Sequence, residues 1–137
     1  MMERKILELE IEPRFCELDG LGHVNNAVPL EWCEQARIPL FRIFTPDLDL
    51  AKWRLIIVKN NIDYLKQINF GKSVKLQTSL SKLGNSSLTI VHEIFQDEVK
   101  VCHCQCIMIH FDYKTNKSKP IPSYERGELE VYYHSSE

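Results

Sequence analysis

The spacing of apolar residues changes period once along this chain, and that change restricts the folds open to it. Leu7, Leu9 and Ile11 alternate with Glu8, Glu10 and Glu12, the pattern of a strand with one wet face. From Ala27 the period lengthens to near 3.6. Leu30, Cys33, Ala36 and Leu40 fall on one stripe, while Glu31, Gln35 and Arg42 fall elsewhere. Pro29 fits a helix only in its first turn, where its missing N–H would have had no partner. Pro39 is expected to kink or end the helix, with residues 40–44 continuing as a separate turn or two. After the loop at Thr45-Pro46-Asp47, strands are expected over residues 53–64, 74–81, 87–95 and 99–113. Lys82-Leu83-Gly84-Asn85 and Gln96-Asp97-Glu98 read as turns between them, which makes the later strands antiparallel neighbours. Residues 114–122 read as a loop, and 123–137 have no settled pattern. The class is α+β, one helix layered on one antiparallel sheet of about five strands. A sheet curling around that helix needs a close approach, which the alternating Cys102, Cys104 and Cys106 would allow.

At 137 residues, a single domain spanning 1–137 is expected, with enough chain to bury a core without staples. Seventeen basic residues against nineteen acidic ones (Lys+Arg 17, Asp+Glu 19) leave a net charge of −2. That balance gives no basic footprint for nucleic acid and no polybasic anchor for a membrane surface. Apolar runs such as residues 55–58 are far too short to span a bilayer, and the first residues lead straight into β-type alternation without a secretory h-region. Five cysteines, an odd number, argue against a secreted disulfide framework. A cytoplasmic protein with reduced thiols is expected.

The densest chemistry lies in Glu17-Leu18-Asp19-Gly20-Leu21-Gly22-His23-Val24-Asn25-Asn26, just ahead of the helix. A helix start presents unpaired N–H groups and partial positive charge, which can hold an anion or the oxyanion formed when a thioester carbonyl is attacked. A carboxylate beside it can attack that carbonyl or activate water. Glycines let backbone approach a ligand closely. The same residues would also serve as a plain capping loop, and composition alone leaves both readings open.

The ordered pattern acid-x-Asp-x-x-Gly-His-Val-Asn-Asn, followed by Glu34-Gln35-Ala36-Arg37, resembles the signature of the 4-hydroxybenzoyl-CoA thioesterase-like branch of the hotdog superfamily. Ile62-Asp63-Tyr64-Leu65-Lys66, Leu83-Gly84-Asn85-Ser86-Ser87-Leu88 and Pro120-Ile121-Pro122 extend the likeness, with Gln67 where a proline is usual. The resemblance implies a long central helix wrapped by a curved antiparallel sheet, and a homodimer or homotetramer with sites at the subunit interface. It implies an acyl-CoA thioesterase that needs no metal or bound cofactor. An acyl-carrier-protein thioesterase and a non-catalytic acyl-CoA binder are the alternatives.

Carried over by position, Asp19 is the catalytic carboxylate and the Asn26 N–H the oxyanion donor. His23 is either a further catalytic group or a residue that orders the loop. Substrate contacts are expected from Gly22, Val24, Asn25, Pro29, Lys59, Asn61 and Ser86. Asn60 and Asn61 should point to opposite faces of their strand, with Asn61 reaching the partner's site. Lys59, Lys66, Lys72, Lys75 and Lys82 are candidates for the coenzyme A phosphates. Pro29 stands where the family has tyrosine, which predicts a wider pocket mouth there. Glu34 and Arg37 are expected to pair with each other or with the sheet. Trp32 and Trp53 read as core or interface. Alternate strand cysteines lie too far apart, and all on one face, to close a tetrahedral zinc site, so Cys102, Cys104 and Cys106 with His103 read as core rather than ligands.

Overall fold

The structure is a computed structural model and describes residues 4–134. Strands β1 (Leu7–Ile11), β2 (Leu55–Tyr64), β3 (Val74–Leu83), β4 (Ser87–Gln96) and β5 (Val99–Asp112) form one antiparallel sheet in the order β1-β3-β4-β5-β2. A two-residue strand, β6 (Lys117–Ser118), adds to the end of β5. β3, β4 and β5 are hairpin neighbours, as the turns predicted. β2 is not, because residues 65–73 carry the chain from one edge of the sheet towards the other, and β2 pairs with β5 instead of β3.

The long central helix expected from the sequence is absent. In its place stand α1 (Val28–Ala36) and α2 (Ile38–Phe44), with Arg37 closing the first and opening the second. The reason is Pro39. Its ring would collide with the carbonyl of Gln35, and it lacks the N–H that would continue the ladder. Placed second in a new helix, it needs neither. The Arg37 carbonyl then accepts from Leu40 at 2.9 Å and Phe41 at 3.0 Å. A third helix, α3 (Ser123–Glu130), occupies part of the tail that carried no clear pattern. It docks through buried Leu129 and through Glu125, whose carboxylate accepts from Arg54 at 2.6 Å.

Both helices pack on the sheet's inner face. α1 sets Val28, Trp32, Cys33 and Ala36 against Val74, Leu76, Ile94, Cys102 and Cys104. α2 sets Leu40, Phe41 and Phe44 against Leu80, Leu88, Ile90, Cys106 and Met108. Side chains of this size contribute about 1.5–3 kcal/mol each when fully buried. The cysteines therefore do what their spacing predicted, filling a core surface where helix and sheet approach closely.

A polar line runs through that core. The buried His92 ring faces Arg37 Nη1 at 3.3 Å through Nε2 and Thr78 Oγ1 at 2.8 Å through Nδ1. A guanidinium only donates, so Nε2 accepts and Nδ1 carries the proton that it gives to Thr78. Burial, then the Arg37 charge, push His92 down to about 3. The folded state thus keeps His92 neutral across a range in which the unfolded chain takes up a proton. Its contribution to stability is full above pH 6.5 and is lost as the pH falls towards 3, with an upper limit of about 5 kcal/mol for that gap. His92→Gln should accordingly be less stable than wild type at pH 7. The difference in unfolding free energy should shrink through the acid range, which denaturant titrations at about pH 7, 5 and 4 would measure.

Candidate active site

Between β1 and α1 the chain makes a tight turn that is almost fully hydrogen-bonded within itself. Leu18 bridges Val24, and the Asp19 N–H donates to the His23 carbonyl at 2.8 Å. Gly22 sits at a φ of +84°, where a side chain would be strained, and donates to the Asp19 carbonyl at 3.2 Å. Asp19 Oδ1 accepts from the N–H groups of Leu21 at 2.9 Å and His23 at 3.3 Å. One carboxylate oxygen is thus committed to shaping the turn. The other takes part in none of these bonds, and Asp19 is exposed.

Glu17 braces the turn against α1. It is 7% exposed, accepts from Arg14 N–H at 2.7 Å and from the Trp32 indole at 3.1 Å, and its carbonyl accepts from Asn25 at 2.9 Å. Asn25 Oδ1 accepts from Ala27 N–H at 2.9 Å, and its carbonyl from Val28 at 3.0 Å. The Asn26 N–H enters none of these bonds. Its carbonyl is held from the far side by the Tyr64 hydroxyl at 2.5 Å, which fixes the orientation of the peptide that follows it. One turn, just ahead of α1, therefore leaves both a carboxylate oxygen and the Asn26 N–H outside its own hydrogen bonds.

The other expected site residues divide. His23 lines the turn through its backbone, and its buried Nδ1 has no partner among the described residues. Val24 is 6% exposed and belongs to the core, with its N–H given to the Ile68 carbonyl at 3.0 Å. Pro29 is likewise fully buried against the sheet, and the wider pocket mouth expected there is not found in the protomer. Asn60 and Asn61 do face opposite ways, but a bulge between Ile57 and Lys59 decides which is which. Asn60 lies opposite buried Cys106 on the helix side, whereas Asn61 lies opposite Gln105 on the outer side. Asn60 is the one that shares a face with Tyr64. Lys59 is exposed and also faces outward, and Lys72 is paired with Asp97 at 2.6 Å. Ser86 sits in the β3–β4 turn, a strand's length from Asp19. Glu34 and Arg37 make no ion pair, since Arg37 turns inward to His92. Sequence reasoning missed Tyr64, although it stands in a segment that carries the resemblance.

A cavity of about 520 Å³ opens at the opposite end of α1, between α2, residues 48–53 and the start of β2. Its wall is mainly Phe41, Leu48, Leu50, Trp53, Leu55 and Met108, with Glu34 and Arg37 from the last turn of α1. In the same protomer the whole of α1, nine residues or about 13 Å, separates it from the Asp19 turn.

Residues 13–127 match the model of the thioesterase-like superfamily. The chain belongs to that family. It is 34% identical to a predicted thioesterase from Bacillus stearothermophilus, whose structure superposes with a TM-score of 0.94 over 97% of this chain and 100% of that one. A thioesterase from Thermus thermophilus, solved in complex with coenzyme A and zinc, is 30% identical, with a TM-score of 0.80 over 89% of this chain and 95% of that one. The uncharacterized protein YsmA of Bacillus subtilis is 28% identical over 81 residues, and the match spans 59% of this chain and 55% of YsmA. An antiparallel sheet carrying its helices on one face fits the hotdog fold, with the helix divided near Pro39 as the sequence predicted and without the long central helix that the resemblance implied.

No cluster of three or more His, Cys, Asp or Glu residues suited to a metal ion occurs among the described residues. Burial pushes Cys102 up to about 12, and contact with the Cys33 thiol together with burial raises Cys104. Zinc needs thiolates, so these thiols are poor ligands. No described helix is long and apolar enough to cross a membrane.

The burial of Pro29 changes what a tyrosine there would do. Pro29→Tyr should overpack the α1–sheet contact and cost about 1–3 kcal/mol of stability. Preference among acyl substrates should stay as it is. A variant with unchanged melting and an altered ratio of kcat/KM between substrates would instead put Pro29 in the pocket.

Proposed function

We propose that this protein hydrolyses acyl-coenzyme A thioesters, with Asp19 as the reacting carboxylate. The observation that carries the reading is the turn itself, in which one Asp19 oxygen is bound by Leu21 and His23 while the other, like the Asn26 N–H just ahead of α1, is left out of the turn's hydrogen bonds. Family membership supplies the reaction class, and the coenzyme A complex of the Thermus thermophilus thioesterase supports the leaving group.

In this reading the thioester carbonyl lies with its oxygen on the Asn26 N–H at the start of α1. Negative charge growing on that oxygen meets a fixed donor and the positive end of the helix. Tyr64 is a positioning residue, since it holds the Asn26 carbonyl, in the peptide next to the one that carries the Asn26 N–H. The free Asp19 oxygen acts on the carbonyl carbon, directly or by taking a proton from the attacking water. The C–S bond breaks, a water oxygen ends on the acyl carbon as the free acid, and the sulfur leaves as the coenzyme A thiol.

A homodimer, with a homotetramer as a further assembly of the same unit, completes this reading. β2 is an edge strand whose middle, from Ile57 to Asn61, is exposed, including Ile57 at 41% and Val58 at 54%. A long bare edge of that kind is an aggregation hazard unless another strand covers it, and pairing with a second β2 does so.

The test is thiol release from a panel of acyl-coenzyme A substrates, comparing wild type with Asp19→Asn. The amide retains an oxygen for the Leu21 and His23 N–H groups, so the fold and melting temperature should hold. Turnover should fall by about a hundredfold or more, as for loss of a general base. Turnover close to wild type in the variant would refute the mechanism.

A further inference from the structure

The cavity at the far end of α1 has one feature that a purely apolar ligand would not call for. Its wall is mainly apolar, yet it includes Arg37, whose guanidinium belongs to a residue only 4% exposed. Arg37 Nη1 is taken by His92 at 3.3 Å, and Nε is buried with no partner among the described residues. Nε and Nη2 lie on one edge of the planar fork, the edge that the bond to His92 leaves open. Their N–H groups run parallel, which is the geometry that holds a carboxylate through two hydrogen bonds at once. A buried cation with an open edge is costly until something anionic completes it.

The rest of the cavity sets what the anion must be attached to. Its volume of about 520 Å³ lies within the roughly 300–1,000 Å³ range of small-molecule sites, which join apolar walls to a few placed polar groups. Phe41 and Trp53 meet edge to face there, with ring centroids 5.1 Å apart. Leu48, on the same wall, stands at a φ of +53°, a backbone region that bulky side chains rarely adopt, and this marks the wall as a built feature. Glu34 is the acid on this wall, exposed and three residues before Arg37. Its charge opposes the approach of any anion. A small hydrated anion has nothing to offset that repulsion, whereas an anion with an apolar body gains by taking that body out of water.

We propose that this cavity binds a carboxylate borne on an apolar body of about six carbons or one aromatic ring, with the carboxylate on the open edge of Arg37 and the body against Phe41, Leu48, Trp53 and Met108. Two sources carry that chemistry. One is a free carboxylic acid, and the other is the far carboxylate of a dicarboxylic acyl group on coenzyme A. The second rests on the thioesterase reading above, and the first does not.

The experiment compares one body with and without its charge. Wild type is titrated calorimetrically at low ionic strength with hexanoate and benzoate, and with the uncharged hexanamide and benzamide. The acids should bind about tenfold or more tightly than the amides. Binding should change the fluorescence of Trp53, and Trp53→Phe should remove that change. Glu34→Gln, an exposed substitution at a side chain with no hydrogen bond among the described residues, should tighten acid binding about two- to fivefold and leave the amides as they are. Arg37→Gln should erase the difference between acid and amide. That variant also loses the bond to His92, and should it not fold, the acid–amide comparison and Glu34→Gln decide the question without it. The two sources are separated by titrating adipoyl- and hexanoyl-coenzyme A into Asp19→Asn, which keeps the cavity intact. An advantage of about tenfold for adipoyl-coenzyme A assigns the carboxylate to an acyl group. Equal affinities for the two thioesters, with hexanoate bound, assign it to a free acid.

Acids that bind no more tightly than amides, together with equal affinities for the two thioesters, would overturn the site. Acid binding that leaves Trp53 fluorescence unchanged and is indifferent to Glu34→Gln lies elsewhere on the protein and would overturn it equally. Wild type inert towards every thioester would remove the thioesterase reading while the acid–amide result stands.

Discussion

A neutral histidine accepting a hydrogen bond from a buried guanidinium is the constraint around which this molecule is assembled. Arg37 is 4% exposed and makes no ion pair with a carboxylate among the described residues, and a charge taken out of water in that way must be matched by oriented dipoles. His92 supplies one, and Thr78 fixes the tautomer that makes it available. The three residues come from α1's end, β4 and β3, so satisfying them sets where the helix pair crosses the sheet. Apolar packing on either side, one set under α1 and the other under α2, then has a fixed meeting line. Arg37 can point inward because Pro39 forces a break beside it. A continuous helix would not leave Arg37 both closing one helix and opening the next.

The Asp19 turn follows the same economy of parts. Glu17 stands in the middle of it, receiving hydrogen bonds from the chain before the turn, from the chain after it and from the indole on α1. Those bonds tie the turn to the chain on both sides of it and to α1. Among the described residues, one oxygen of Asp19, the Asn26 N–H and the buried His23 Nδ1 are left without a partner in this turn. Reactive groups held by a completed scaffold lose little freedom when a substrate arrives.

Much of this is legible in the sequence alone. β1 and the β3–β4–β5 meander are visible because each alternates cleanly and is bounded by turns, and the Asp19 turn stands out because glycines, amides and an acid crowd ahead of a helical period. Other features are hidden for definable reasons. The length of the 65–73 connection does not say which edge of the sheet β2 occupies. Pro39 announces a break but not its place, which is set by a clash four residues upstream. The alternation puts Asn60 and Asn61 on opposite faces, but the extra residue at the β2 bulge decides which of them meets the helix layer, and a bulge leaves no mark in a pattern of period two. The contact between Tyr64 and Asn26 joins residues 38 apart in sequence, and no local pattern signals it. Pro29 looks like a site residue because its neighbours are, yet the helix turns it towards the sheet.

The strand order also governs how the chain can acquire its shape during synthesis. Leu55 has its ladder partner at His110 and Tyr64 at Cys102, so β2 is made long before anything exists for it to join. The β3–β4–β5 meander can close from local contacts, but β2 must stay extended until β5 has left the ribosome. Throughout that wait its Leu-Ile-Ile-Val run is bare on both edges. The following Lys59, Asn60 and Asn61 interrupt the run with charge and amides, and act as gatekeepers against premature pairing between nascent chains.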